Sequence, residues 1–208
     1  AKAKKGYVSM YDINDRFVKP WTAGTGCGVS VLMSEERELA ARLMLSHAWG
    51  EDAEELLESV KQYVHDRSIA YSTPLWFCVF ANYQAQDGYG PSIQEQIKMS
   101  PFSVVIESPA VKNENGGSGM LAVHTTRADL YSRLWCVHEV DRAAEQSGVE
   151  VGAALSQRYV DAVTRRVSMF IDHGASTSEW MEAAEVAVNT SKAKCGNPDD
   201  ENMLVAEI

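Results

Sequence analysis

The sequence contains few cysteines, and none of them form a pair at close spacing. Cys27, Cys78, Cys136 and Cys195 are scattered along 208 residues without a Cys-x-x-Cys motif. This pattern predicts neither a disulfide framework nor a zinc site, and it favours a reducing, cytoplasmic compartment and no bound metal. Residues 1–5 are not followed by the apolar segment of a secretory signal, although a segment removed before residue 1 would leave no trace here.

Positive charge and long apolar runs are also scarce. The chain has 19 basic and 29 acidic residues, for a formal net charge of −10. A nucleic-acid-binding surface needs a basic patch, so we expect no nucleic-acid partner. The apolar runs fall short of the roughly 20 residues of a membrane helix, so we expect no membrane span. At 45% hydrophobic and 23% charged, the composition is typical of one well-buried globular domain.

The chain divides into two regions. Residues 1–38 contain Pro20 and a glycine-rich cluster at 24–28, which predict an extended N-terminal arm that packs on the domain. Residues 39–208 alternate strand and helix signals. Strands are predicted at 43–46, 75–80, 102–106 and 120–123, with a weak last strand at 186–188. Helices are predicted at 53–66 after a capping box of Asp52 and Glu55, near 93–99, at 130–144, within 148–182, and after Asp199.

Strands separated by helices predict right-handed crossovers and a mostly parallel central sheet that is covered on both faces. The fold class is therefore α/β, with a flavodoxin-like three-layer architecture. Because ligands of such sheets bind beyond the carboxyl ends of the strands, we expect a site in the loops that follow Leu45, Phe80, Ile106 and Val123.

Four segments, in order, resemble motifs of the TIR domain family. Residues 45–52, Leu-Ser-His-Ala-Trp-Gly-Glu-Asp, resemble its first motif, and residues 90–93, Gly-Pro-Ser-Ile, resemble the Gly-x-x-Ile signature that opens its second helix. Residues 102–108 stand where the family has its third strand. Residues 132–140 resemble the Ser-x-Trp-Cys-x-x-Glu-Leu motif, and the closest resemblance is to a divergent protist and algal branch.

The chain departs from the family pattern at two places. Residues 81–84, Ala-Asn-Tyr-Gln, replace an acidic residue that usually follows the second strand, and the helix within 148–182 is extra. Both departures change the expected shape of the cleft, and therefore bear on the substrate.

The resemblance implies that Glu139 cleaves the nicotinamide–ribose bond of NAD, with NAD as substrate and no cofactor. One carboxylate suffices for this reaction. Nicotinamide is bound to the ribose as a cationic pyridinium and departs as a neutral molecule, so it needs no general acid, whereas the leaving group of an ordinary glycoside does. The carboxylate then stabilises positive charge that grows on the ribose. Trp135 lies one helical turn before Glu139 and shares its face. The alternative for Glu139 is a surface ion pair with Arg142.

The other candidates follow the first two strands. Ser46, His47 and Trp49 are expected to contact the substrate after the first strand, and Asn82 and Gln84 after the second. For each of them the alternative is a structural role in closing a turn or capping a loop. Cys136 is expected to be a packed thiol rather than a nucleophile.

Three functions stay open at this stage. The first is an NAD glycohydrolase or cyclase, the second a non-enzymatic TIR-type assembly or signalling module, and the third a nucleoside-sugar transferase in which the glutamate is a covalent nucleophile. Self-association is expected because TIR active sites are often completed by a neighbouring subunit. In the second function the arm and the extra helix would make the protein contacts.

Overall fold

One parallel sheet organises the protein. The computed structural model describes residues 6–34, 39–174, 176, 178–179 and 190–207. The strands are β1 (Leu43–Ser46), β2 (Leu75–Trp76), β3 (Met120–His124) and β4 (Val151–Leu155), in the order β2-β1-β3-β4 with every pair parallel. This order matches the first four positions of the flavodoxin-like order 2-1-3-4-5. The predicted three-layer α/β fold is confirmed.

Helices precede the sheet, connect its strands and follow it. Helix α1 (residues 10–22) consists of α-helical turns at Met10–Ile13 and Lys19–Thr22 around a π-helical turn at Asn14–Val18. The others are α2 (Val29–Leu32), α3 (Ala53–Asp66), α4 (Cys78–Ala81), α5 (Ile93–Lys98), α6 (Pro101–Glu107), α7 (Leu134–Glu145), α8 (Gln157–Asp172) and α9 (Pro198–Glu207). Among the helices of the described ranges, none combines the length and apolar character needed to cross a membrane.

The two faces of the sheet are covered by different helices. Alternate strand residues, Leu43, Leu45, Leu121 and Val123, pack with Leu56 of α3 and with Met10 and Val18 of α1. The intervening residues Met44 and Met120 pack with Ile106 of α6 and Ala143 of α7. Because each central strand is buried on both faces, its sequence is an unbroken apolar run.

Helix α3 begins and ends where the sequence predicts. The Asp52 carboxylate accepts a hydrogen bond from the backbone N–H of Glu54 at 3.0 Å, which satisfies one of the unpaired amides of the first turn. Glu55 does not complete the predicted capping box. Its side chain turns inward and accepts hydrogen bonds from the backbone N–H and hydroxyl of Thr126 and from the hydroxyl of Ser156. It thereby ties α3 to the loops that follow β3 and β4.

The prediction of an extended arm is wrong, because residues 10–22 are helical. Ser9 and Asp12 form a capping box that starts the helix, and Val18 is fully buried in the core. Pro20, which suggested extended chain, is the second residue of the turn Lys19–Thr22 and directly follows the π-helical turn. A wider turn of this kind accommodates a residue that cannot donate a backbone hydrogen bond.

Two predicted strands are also wrong in whole or in part. Residues 102–106 lie in helix α6, which starts at Pro101, and Val104 is 62% exposed as expected for an amphipathic helix. The predicted strand 75–80 stops at Trp76, because α4 begins at Cys78. The weak strand predicted at 186–188 lies outside the described residues.

The fourth strand, β4, lies in a region for which only a helix was predicted. It reads Val-Gly-Ala-Ala-Leu, in which Val151 is the single β-branched residue and three of the five residues are glycine or alanine. Small residues are required here, because a Cβ at Gly152 would lie 2.1 Å from the Tyr63 hydroxyl of α3. The extra helix within 148–182 is present as α8.

The entry to β3 offers a test of the sheet's packing. Gly119 has φ +72°, and a Cβ there would lie 2.1 Å from the Glu150 carbonyl oxygen, whereas Gly88 has φ +83° and open space around it. Gly88→Ala should therefore lower the free energy of unfolding by only the cost of left-handed backbone, about 1 kcal/mol. Gly119→Ala adds overpacking between two strands, and should lower it by at least about 3 kcal/mol. Urea denaturation of both variants measures the difference, and equal losses would contradict the register of β3 with β4.

Candidate active site

A cavity of about 480 Å³ lies beyond the carboxyl ends of β1 and β2. Six of the seven predicted site residues line it, namely His47, Trp49, Asn82, Gln84, Trp135 and Glu139. The seventh, Ser46, is fully buried as the last residue of β1. The sheet's switch point lies between β1 and β3, where the chain departs to opposite sides, so the cavity is near the place where such sheets bind ligands.

Glu139, on helix α7, lines this cavity. Its side chain is only 4% exposed, and burial raises its pKa to about 8 against the opposing effects of the Ser46 hydroxyl and the positive charge of Arg133. The alternative of a surface ion pair with Arg142 is wrong. Arg142 instead pairs with Glu107 at 2.9 Å and with Glu145 at 3.5 Å.

Aromatic rings form two walls of the cavity. On one side Trp135 stacks on Phe102 of α6, with ring centroids 4.9 Å apart and planes 29° apart. On the other side Trp49 packs against Tyr11 of α1 at 5.4 Å. A planar ligand can therefore lie against flat apolar surface at two places in the same cavity.

His47 is held from both sides by buried groups. Its Nδ1 lies 2.7 Å from Oε1 of Glu51, and its Nε2 lies 3.2 Å from Sγ of Cys78. Burial lowers the pKa of His47 to about 3 and raises the pKa of Glu51 to about 9, so both groups are neutral at pH 7. The neutral arrangement has the Glu51 acid donating to Nδ1, while Nε2–H donates to the sulfur.

Cys78 and Cys136 are protonated thiols in this setting. Burial raises the pKa of Cys78 to about 12 and raises the pKa of Cys136 well above its ordinary value, since neither thiolate would be solvated. Cys136 donates a hydrogen bond to the His47 carbonyl oxygen at 3.3 Å, in keeping with its predicted role as a packed thiol. All four cysteines are free.

The side-chain amides of Asn82 and Gln84, which follow β2, differ in burial and in hydrogen bonding. Gln84 is buried, and its amide donates to the carbonyl oxygen of Cys78 at 3.4 Å, which combines the predicted ligand position with a loop-closing role. Asn82 is half-buried on the cavity wall. Tyr83, between them, turns away from the cavity and donates its hydroxyl to Asp87.

Residues from both ends of the described chain complete the cavity, and sequence analysis missed them. They are Tyr11, Asn14, Asp15 and Lys19 of α1, Gly196 and Asn197 directly before α9, and Asp200 in α9. The sequence does carry a signal for α1, since Ser9 and Asp12, three residues later, form a capping box. Pro20 favoured the prediction of extended chain instead. No local signal places residues 196–200 beside a helix 60 residues earlier.

Arg133 connects these parts. It lies at the N-terminal cap position of α7 and donates from its guanidinium to the Tyr11 hydroxyl at 3.0 Å, and its charge lowers the pKa of both Glu139 and Glu51. The described part of the chain holds no group of three or more histidine, cysteine, aspartate or glutamate side chains placed to bind one metal ion.

No protein-family model, no curated protein and no solved structure matches this chain.

The protonated state of Glu51 makes stability depend on pH. Its pKa is about 9 in the folded protein and near 4.5 when unfolded, so the folded state holds an extra proton between these values and loses stability as pH rises through them. The slope from one such group is at most about 1.4 kcal/mol per pH unit. Glu51→Gln keeps the polar contact without the titration. Its free energy of unfolding should fall less steeply than that of the wild type between pH 6 and pH 9.

The matched control for this experiment is Glu58→Gln, an exposed carboxyl group on the same helix. This variant should keep the wild-type slope in urea titrations at each pH. Identical slopes for wild type and Glu51→Gln would show that Glu51 is ionised in the folded protein, contrary to the arrangement described above.

Proposed function

We propose that this protein is a TIR-like enzyme that cleaves the nicotinamide–ribose bond of NAD, with Glu139 as its catalytic residue. The observation that supports this most directly is a buried carboxyl group on the wall of a 480 Å³ cavity that has aromatic rings on two sides. The position of the motif at residues 132–140 adds support. Most of it lies in α7, which is the first long helix after the buried strand β3.

The chemistry requires Glu139 to be ionised when substrate is bound. In the empty cavity its raised pKa leaves it mainly protonated at pH 7. A pyridinium cation beside it favours the carboxylate and releases the proton. The bond between C1′ and the pyridinium nitrogen then breaks, and its electron pair returns to the ring as neutral nicotinamide. The carboxylate stabilises the positive charge that remains on the ribose.

Water completes the reaction by adding to C1′ and losing a proton, which gives ADP-ribose, nicotinamide and H⁺. Attack by a group of the same nucleotide in place of water would give a cyclic product. The positive charge of Arg133 on the cavity wall suits the diphosphate of the dinucleotide, while the aromatic residues suit its rings; Lys19, also on the wall, pairs with Asp15 at 2.7 Å.

A non-enzymatic assembly module is the second candidate, and one feature favours it. The extra helix α8 exposes Val160, Val163 and Ile171 on one face, the last of them 66% exposed. A face of this kind is suited to a protein contact. It is also compatible with an enzyme that self-associates, so the two candidates are separated by turnover and not by oligomeric state.

Replacement of Glu139 tests the enzymatic function. Glu139→Gln keeps the size and hydrogen-bonding capacity but cannot acquire charge, so nicotinamide release from NAD should fall by at least about 100-fold. Glu139→Asp should retain partial activity. Glu145→Gln, an exposed carboxyl group of the same helix, should behave as the wild type.

These rates are measured by chromatography of nicotinamide at micromolar and at near-millimolar protein, so that activity which needs a neighbouring subunit is detected. Wild-type activity in Glu139→Gln would remove the glutamate from the mechanism. Absence of NAD cleavage by the wild type at both concentrations would overturn the proposed function.

The raised pKa of Glu139 gives the reaction a pH dependence of definite sign. Because the ionised form reacts and the pKa of the free enzyme is about 8, kcat/KM for NAD should increase as pH rises from 6 and level off above about 8. Initial rates at subsaturating NAD between pH 6 and pH 10 measure the profile. A rate that falls over this range would indicate that Glu139 acts as a proton donor.

A further inference from the structure

Asn14 is a buried polar residue that lines the cavity, and the proposed cleavage of NAD assigns it no role. It begins the π-helical turn of α1 and lines the cavity, and it is only 4% exposed. Its amide oxygen Oδ1 has no hydrogen-bond partner among the described residues. A buried acceptor left unpaired is costly, and such groups in native proteins are commonly explained by function.

The position of Asn14 is fixed by the packing of α1. Met10 and Val18, on either side of it, are buried in the main core. The segment that follows α1 approaches α4 so closely that a Cβ at Gly28 would lie 2.2 Å from the Ala81 carbonyl oxygen. Asn14 therefore cannot turn to solvent without undocking the helix. π-helical turns of this kind occur frequently at functional sites.

The neighbours of Asn14 favour a flat ligand over a sugar. Tyr11 precedes it by three residues on the same helical face, and the Tyr11 ring packs on Trp49. Both rings line the cavity with Asn14. A ligand group that reaches Oδ1 therefore lies beside aromatic surface, where a heteroaromatic ring is bound better than a hydroxylated one.

We propose that Asn14 recognises an NH₂ group on a planar heteroaromatic ring, with Oδ1 accepting a hydrogen bond from it. The choice of ring rests on the proposed function, because NAD carries two such groups, the carboxamide of nicotinamide and the exocyclic amine of adenine. A buried acceptor oxygen discriminates strongly, since a ligand without the donor leaves it unpaired. Helix α1 is thus part of the proposed binding site.

The experiment measures binding rather than turnover, with the full chain. Nicotinamide is compared with 3-acetylpyridine, which has a methyl group in place of the NH₂, and adenosine with purine riboside, which lacks the amine. Dissociation constants come from ligand-observed NMR or calorimetry. We expect the wild type to bind the amino-bearing member of one pair about 10-fold to 100-fold more tightly, and that pair identifies the end of the dinucleotide that Asn14 contacts.

Two substitutions assign this preference to Asn14. Asn14→Leu has nearly the same volume and no acceptor, so it should lose the preference by weakening the amino-bearing ligand alone. Asn14→Asp keeps acceptor oxygens and should retain the preference. If Asn14→Leu does not fold, as its melting curve will show, Asn14→Asp still tests the proposal.

The failure of this proposal differs from failure of the proposed function. Equal binding within both pairs by the wild type, or a preference that survives in Asn14→Leu or is lost in Asn14→Asp, overturns the role of Asn14, even if Glu139-dependent NAD cleavage is present. A preference that follows Asn14 as described supports the proposal, even if no NAD is cleaved.

Discussion

The burial of three glutamates at the carboxyl edge of one sheet constrains the whole site, because a buried carboxyl group is costly unless it is bonded, paired or protonated. Glu55 is bonded, since it accepts three hydrogen bonds from Thr126 and Ser156. Glu51 is protonated and lies against the imidazole of His47. These two carboxyl groups are occupied in holding the loops, and the third, Glu139, borders the cavity.

The same constraint explains why the two ends of the described chain meet at the cavity. The positive charge of Arg133 lowers the pKa of both Glu139 and Glu51, and its guanidinium donates a hydrogen bond to Tyr11, 122 residues away in the sequence. Its backbone also pairs with Lys194 in an isolated parallel bridge. Arg133 thus connects to α1 through its guanidinium and to the C-terminal segment through its backbone, and both lie beside the buried carboxyl groups. Helix α1 therefore forms part of the cavity wall.

Sequence patterns predicted the parts of this structure that depend on local signals. β1, β3, α3 and the cavity's position follow from apolar runs, helical spacing and the geometry of parallel sheets. Residues 102–106 were mistaken for a strand, because a short apolar run has no periodicity that separates a strand from a buried helix. The strand β4 was missed because Tyr63 requires Gly152 opposite it, a demand that only tertiary packing imposes. For the same reason no pattern could place Asn14 beside Glu139's cavity.

The pKa of Glu139 reconciles a stable fold with a reactive carboxylate. Keeping Glu139 protonated at pH 7 costs stability, because the unfolded chain has released that proton, but it costs less than burying an unpaired carboxylate would. In the proposed reaction, the cost of ionisation is offset only when a cation enters, so the carboxylate forms where the positive charge of the substrate lies. A carboxylate with an ordinary pKa in the same position would need a permanent partner, as Glu55 has. That partner would occupy the space in which the pyridinium is proposed to bind.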